Sequence, residues 1–365
     1  MKKIRVLVVD DSIVVRRVVT EELEVQPDIE VAGAASNGRS ALEKLAVLNP
    51  DLVILDIEMP EMDGLTALSH LRQSHPVTPV IMFSSLTELG AAATLEALSR
   101  GASDFFAKPG GSGGLEASRK IIREELVPAI RALCSRKPAV PAAEMPSKTA
   151  SPLVTPSQTR TRFSSPSATS VARIDLLAIG ASTGGPNALA EMFAALPGDL
   201  PVPILIVQHM PPMFTQMLAE RLTKNSRIPT VEATSDTELR PGRAWIAPGD
   251  HHLVIVRDGL KIRTRVHQEP HENACRPAVD PLLRSVASVY KANCLVVILT
   301  GMGQDGLRGC EMIRTAGGQI LAQDEASSVV WGMPGAVVRA GLADQVLPLS
   351  QMAGEVVRRV RFGRV

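Results

Sequence analysis

The segment Gly180-Ala-Ser-Thr-Gly184, running on into Gly185-Pro186, fits the G-x-S-x-G pattern that lifts a serine hydroxyl onto a sharp turn at the start of a helix. Small neighbours let backbone N–H groups approach an oxyanion there, so the chemistry on offer is acyl transfer through Ser182. A serine nucleophile needs a base within hydrogen-bond reach, and the base needs an orienting group. Of the seven histidines, His70 and His75 lie in the first third of the chain, while His251, His252, His267 and His271 fall in or around a hairpin and a loop. Only His209 lies at the end of an apolar, strand-like run, PILIVQHM. Taken alone it could equally be a satisfied core histidine. Asp305 follows another such run, CLVVILTGMGQ, in which Gly301 and Gly303 expose backbone amides. Asp250, Asp280 and Asp324 are weaker candidates because none follows so long an apolar strand. The same glycines could instead bind a dinucleotide, but the pattern is GxxxGG rather than GxGxxG, and Ser182 stands where the middle glycine belongs. The next strand also ends in Gln208-His209, not in the acid that would hold a ribose.

A second set of reactive residues lies near the N-terminus. Asp10 and Asp11 end one apolar run, Asp56 ends another, Ser84 a third, and Lys108 follows a fourth. Three carboxylates gathered together repel one another unless a hard divalent cation neutralises them, which points to Mg²⁺. A lysine and a hydroxyl beside them suit a phosphoryl group, the one as point charge and the other as donor. The carboxylate most central to the sheet, Asp56, is then the phosphoryl acceptor. Any one of these residues is more often an N-cap, a solvated acid or a surface lysine. Four strand ends matching one chemistry together are harder to dismiss.

These residues require elements that bring strand ends together. Strands at 4–10, 31–35, 51–56, 79–84 and 104–108 alternate with helices at 13–25, 38–48 and 88–99. A last helix carries Ile122, Leu126, Ile130 and Leu133 on one stripe, with Pro128 placed to kink or end it. Uniformly apolar strands with helical crossovers predict a parallel sheet covered on both faces, here a five-stranded flavodoxin-like α/β fold. The second half repeats the alternation, with strands at 175–182, 203–210, 243–248, 294–303 and 319–324. Residues 251–265 read as a β-hairpin turning at Asp258-Gly259. This half is predicted as a second, mainly parallel, doubly wound α/β domain with a local hairpin. Between the halves, Ser135 to Arg173 is rich in Pro, Ser and Thr and nearly devoid of large apolar side chains. It cannot bury enough surface to offset its ordering entropy. As a coil it would span roughly 35 Å. The expected division is 1–125, then 126–173 as a helix end and flexible linker, then 174–365.

Composition excludes other classes. Hydrophobic and charged shares of 45% and 21% are those of an ordinary globular protein. A net charge of +1 provides no long-range field for nucleic acid, and no helix-turn-helix or basic recognition surface follows residue 174. No segment approaches a membrane span, and the four cysteines lack CxxC spacing, so reduced thiols in the cytoplasm are expected.

The N-terminal strings VVDDS, LDIEMPEMDG, FSS and FFAKP resemble two-component receiver domains over about residues 1–125. The resemblance implies that a histidine kinase phosphorylates Asp56. It implies Mg²⁺ held by Asp10, Asp56 and the backbone carbonyl of Glu58, with Asp11 assisting. It further implies that Ser84 and Lys108 sense the phosphoryl group, with Phe105 in the aromatic switch position. The strings IGASTGGP, VQHMPPMFT, IAPGDHH, LTGMGQDG and WGMPGAV, over about 174–360, are similar to the catalytic domain of the chemotaxis receptor methylesterases, which are protein-glutamate methylesterase/glutaminases. That resemblance makes Ser182, His209 and Asp305 a triad, in an order unlike the Ser…Asp…His of α/β-hydrolases. It makes the amide of Met302 an oxyanion donor, to which we add that of Thr183. It implies phosphorylation-activated demethylation of methyl-accepting chemoreceptors and deamidation of their glutamines, with no cofactor in the catalytic half, no nucleic acid, no membrane insertion and a monomeric chain. The unphosphorylated receiver is expected to inhibit by covering the approach to Ser182. The alternative class is a non-catalytic response regulator whose second domain binds a partner.

Overall fold

The computed structural model describes residues 2–84, 87–108, 114–135, 173–362 and 364. The expected linker therefore lies almost wholly outside the described residues. In the first half, β1 (Ile4–Val9), β2 (Ile29–Ala35), β3 (Leu52–Asp56), β4 (Val80–Ser84) and β5 (Asp104–Ala107) form one sheet in the order β2-β1-β3-β4-β5. Every pairing is parallel, as the uniformly apolar strands require. Helices Ile13–Glu24, Gly38–Leu48, Gly64–Ser74 and Glu88–Ser99 make the crossovers. Each begins at a side chain that accepts a backbone N–H of the first turn, from Ser12, Asn37, Asp63 and Thr87 in turn. This order places β1 and β3 side by side at the centre, and so Asp10 and Asp56 at neighbouring ends.

The last helical segment of this half comprises Gly114–Ile121, a π-helical turn at Ile122–Leu126, and Val127–Cys134. Ile122, Leu126, Ile130 and Leu133 are all buried, as the stripe predicts. Pro128 does not end the helix. It lacks an N–H and crowds the carbonyl four residues back, and the wider π turn just upstream accommodates both defects.

The second half is built on a seven-stranded sheet, ordered β14-β13-β12-β6-β7-β9-β8. Its strands are β6 (Leu176–Ala181), β7 (Ile204–Gln208), β8 (Thr230–Glu232), β9 (Ala244–Ile246), β12 (Cys294–Ile298), β13 (Gln319–Gln323) and β14 (Gln345–Leu347), and all pairings are parallel. β10 (His252–Asp258) and β11 (Lys261–His267) form a separate antiparallel hairpin. Its two-residue turn is Gly259-Leu260, one position beyond the expected Asp258-Gly259, because Asp258 pairs with Lys261. Gly259 takes the positive φ of +58° that the tight turn demands. The decisive feature is the neighbourhood of β6. All six of its residues are buried, and it lies between β12 and β7, where the strand order reverses. Ligands of doubly wound sheets bind at such a switch point, beyond the carboxyl ends of the strands.

Candidate active site

Ser182, His209 and Asp305 lie in the turns leaving β6, β7 and β12, three adjacent strands. Register fixes those ends relative to one another. Ala181 pairs with Gln208 and Ile298 with Gly180, and the ladder extends past the strands through Ser182 N to Thr300 O at 3.0 Å and His209 N to Ala181 O at 3.1 Å. Beyond Ser182 the chain turns through Gly184 at φ +76° into helix Gly185–Ala195, whose N-terminal amides favour negative charge. The loop after β12 comes equally close. A Cβ on Gly301 would lie 2.8 Å from Ser182 Cβ and 2.4 Å from Met333 Sδ, so only glycine fits.

His209 donates through Nε2 to Asp305 Oδ2 at 2.8 Å. Asp305 is buried and accepts four further hydrogen bonds, from the amides of Val279 (2.6 Å), Asp280 (3.1 Å) and Gly306 (2.9 Å) and from Asn273 Nδ2 (2.8 Å). Burial alone would raise this carboxyl, but His209 and the two amides of Val279 and Asp280 hold it below the usual range. Burial disfavours the charged form of His209. The Cys275 sulfur and the Asp305 carboxylate outweigh it and hold the imidazole above its ordinary value. Nδ1 of the same ring lies 3.4 Å from Cys275 Sγ. The Ser182 hydroxyl makes no hydrogen bond among the described residues, and the amide N–H groups of Met302 and Thr183 likewise have no acceptor among them.

Three supporting residues escaped the sequence reading. Gln208 Nε2 donates to Ser182 O at 2.9 Å and His209 O at 3.2 Å, tying two strand ends with one amide. Asn273 Nδ2 bridges Asp305 Oδ1 and Asp280 Oδ2 at 2.8 and 2.9 Å. Cys275 meets His209 across 66 positions of sequence. Gln208 could have been found from its place at a strand end. Asn273 and Cys275 lie in an irregular segment without periodicity, where only long-range pairing reveals them.

The acidic cluster of the first half also assembles. Oxygens of Asp10, Asp11 and Asp56 lie within 4.8 Å of one another, and Lys108 Nζ reaches Asp56 Oδ2 at 2.6 Å and Asp10 Oδ2 at 3.5 Å. Burial raises both buried carboxyls against the pull of Lys108, that of Asp56 to about 6. Asp10 Oδ2 is buried and has no hydrogen-bond partner among the described residues. A carboxylate trio short of positive charge, with an orphaned oxygen, fits a hard divalent cation. Glu58 N donates to Asp56 Oδ1 at 3.2 Å. The Ser84 hydroxyl is buried and donates to Gly90 O at 3.0 Å.

Phe105 stacks on Phe214 of the second half, with ring centroids 4.7 Å apart. It is one of several contacts between the halves. Thr183 Oγ1, one residue past Ser182, donates to Asp104 Oδ2 at 2.7 Å, and Asn187 Nδ2 donates to Leu98 O at 2.7 Å. Arg221 donates to Leu95 O at 3.4 Å. β5 and helix Glu88–Ser99 therefore dock directly beside the turn that carries Ser182. Burial pushes the Asp104 carboxyl up to about 6, although Thr183 and the Phe105 amide oppose it.

Among the described residues, no helix is long and apolar enough to cross a membrane. Residues 6–120 match the family of response regulator receiver domains, and residues 177–356 match that of CheB methylesterases. The chain is 48% identical over 360 residues to the protein-glutamate methylesterase/protein-glutamine glutaminase of Trichodesmium erythraeum, covering 99% of this chain and all of the relative. It is 49% identical to the enzyme of the same name from a Nocardioides strain, covering 99% of this chain and 96% of that one. The crystal structure of the Thermotoga maritima CheB methylesterase catalytic domain superposes with a TM-score of 0.50 and 40% identity, over 51% of this chain and 99% of the other. With identity of this level sustained end to end, and both domain families matched in order, the chain belongs to the receiver-linked protein-glutamate methylesterase/protein-glutamine glutaminase family.

Proposed function

We propose that Ser182, His209 and Asp305 hydrolyse glutamate γ-methyl esters on the cytoplasmic bundle of methyl-accepting chemoreceptors, and that phosphorylation of Asp56 by a histidine kinase releases this activity. The observation that carries the reading is the His209–Asp305 hydrogen bond, flanking a serine on the strand between them. With Nε2 committed to Asp305, Nδ1 is the nitrogen left to take the Ser182 proton. The hydroxyl attacks the γ-carbonyl, and the unengaged amides of Met302 and Thr183 are the donors for the oxyanion. Collapse expels methanol, which takes the proton back from the imidazolium. Water then attacks the acyl-serine by the same route and leaves a free glutamate. A glutamine side chain presents the same carbonyl with ammonia as leaving group, so deamidation follows. Asp305 stays ionised under its hydrogen bonds and stabilises the imidazolium.

In the receiver, Asp10, Asp11, Asp56 and the backbone carbonyl of Glu58 would hold Mg²⁺, whose charge neutralises the carboxylates and the incoming phosphoryl group. Lys108 and Ser84 engage the phosphoryl oxygens. Phe105 carries the change to the second half through its contact with Phe214. The docked receiver blocks a substrate as bulky as a helical bundle while leaving the triad itself intact. The chain acts as a cytoplasmic monomer, with the expected segment 126–173 as tether. The test is methanol release from methylated receptor by the full-length protein, with and without beryllofluoride and Mg²⁺. Activation is expected in the wild type and absent in Asp56→Asn, and release should be lost in Ser182→Ala. Undiminished release from Ser182→Ala would remove the nucleophile assignment.

A further inference from the structure

Cys275 occupies the position on the His209 ring that Ser182 would need. Its Sγ lies 3.4 Å from Nδ1, the nitrogen assigned above as the base, while Nε2 is bonded to Asp305 Oδ2 at 2.8 Å. The Ser182 hydroxyl meanwhile has no hydrogen-bond partner among the described residues. Thiol, imidazole and carboxylate thus stand in line, the arrangement in which a cysteine sulfur becomes a strong nucleophile. The titratable groups that meet the ring are Cys275 at Nδ1 and Asp305 at Nε2. Asp280 and Glu272 act on Asp305 rather than on the ring, and Glu272 is paired with Arg284.

The other three thiols are placed differently. Cys294 and Cys310 are buried, and the Cys134 sulfur lies 3.8 Å from the carbonyl oxygen of Asp51. Burial pushes the thiols of Cys134 and Cys294 up to about 12 and that of Cys310 higher still. They hold almost no thiolate near neutral pH. Cys275 is partly open to solvent and alone among the four has an imidazole partner.

We propose that Cys275 is a covalent modification site for soft electrophiles and peroxides, and that a group attached to its sulfur takes His209 Nδ1 away from Ser182 and silences the esterase. With iodoacetamide the sulfur forms an S–C bond, iodide leaves, and the thiol proton passes through Nδ1 to solvent. With hydrogen peroxide the sulfur attacks one oxygen and the O–O bond breaks. Cysteine sulfenic acid and water form, the sulfur giving up two electrons to the peroxide. A second thiol such as glutathione condenses with the sulfenic acid, releasing water, and a further equivalent exchanges the mixed disulfide back to free Cys275. Esterase output would in this way follow the peroxide and thiol levels around the protein. The inference rests on His209 Nδ1 being the base.

The test uses full-length protein activated with beryllofluoride and Mg²⁺, treated with iodoacetamide or hydrogen peroxide, then mapped by peptide mass spectrometry and assayed for methanol release. A single adduct at Cys275 is expected, with release falling in step with its occupancy to below about a twentieth. Labelling of Cys275 should slow at least about tenfold in His209→Gln, a readout that needs no esterase activity. Cys275→Ala and Cys275→Ser should both escape inactivation. In the alanine variant the acid limb of the kcat/KM profile should move to lower pH, because the sulfur that raises the proton affinity of His209 is gone. Adducts at another cysteine, full activity in protein labelled at Cys275, or inactivation of both variants at the wild-type rate would overturn the proposal. Failure of the Ser182 assignment would show separately, as methanol release that persists in Ser182→Ala.

Discussion

Single side chains in the catalytic half divide by what each would leave behind if removed. The Ser182 hydroxyl makes no hydrogen bond among the described residues, so Ser182→Ala should abolish turnover while leaving the melting temperature nearly unchanged. His209→Gln and Asp305→Asn remove members of the proposed triad that are hydrogen-bonded to each other. Each should lower kcat by about 10³–10⁴-fold, and a double variant should be little worse than the poorer single. Asp305→Asn should also destabilise, because its NH₂ replaces one of two acceptor oxygens and so faces either the amide of Val279 or those of Asp280 and Gly306, which require acceptors. Asn273→Ala is the informative control. It strips a donor from Asp305 and Asp280, leaving two buried carboxylates short of a hydrogen bond, at a cost of about 1–3 kcal/mol in denaturant melts. The placement of Ser182, His209 and Asp305 at neighbouring strand ends was legible because each follows an apolar run that the sheet must bury. Asn273 and Cys275 carried no such signal. Their segment follows neither helical nor strand period, and their roles come from partners 32 and 66 positions distant.

At the scale of elements, the loop after β12 has no slack. Gly301→Ala would place a methyl against Ser182 Cβ and Met333 Sδ, at 2.8 and 2.4 Å, and one of them must shift. A shift of Ser182 moves its hydroxyl relative to the proposed base His209 and the Met302 amide, so kcat should fall about a hundredfold while KM changes little. Unaltered steady-state kinetics would mean that the loop is compliant. The long strands of both sheets were readable from continuous apolar runs, and their parallel pairing followed from burial on both faces. β8 and β14 were not read, since three residues cannot establish a period. The hairpin turn was misplaced by one residue because Asp-Gly and Gly-Leu are both acceptable turn pairs, and only the Asp258–Lys261 pairing decides between them. Pro128 was read as an interruption, whereas the preceding π turn carries the helix past it.

For the whole molecule the question is what holds the receiver beside the Ser182 turn, and Asp104 offers a measurable answer. Its carboxylate accepts from Thr183 Oγ1 at 2.7 Å, and burial at the junction pushes it from 3.8 up to about 6. Released to solvent when the halves separate, it would return toward its ordinary range. The docked arrangement therefore binds the proton more tightly than the open one. Its contribution to docking is fully present below the ordinary carboxyl pKa and is lost as pH rises through about 6. Because Lys108 follows β5 by one residue, a phosphoryl group drawn to Lys108, as proposed, would act on the strand that carries Asp104 and Phe105. Two influences, one proton and one phosphoryl group, then bias the same pair of domain arrangements. Basal methanol release, divided by release with beryllofluoride to cancel the pH dependence of the chemistry, should rise between about pH 5 and 7 in the wild type. Asp104→Asn keeps an acceptor for Thr183 without the buried charge, so its ratio should be flat with pH. At pH near 7 it should lie several-fold below that of the wild type, since a few kcal/mol of added bias suffices to shift occupancy strongly. A wild-type ratio that does not change with pH would mean that the carboxylate is solvated in the inhibited state, and that docking rests on Phe105 and Phe214 instead.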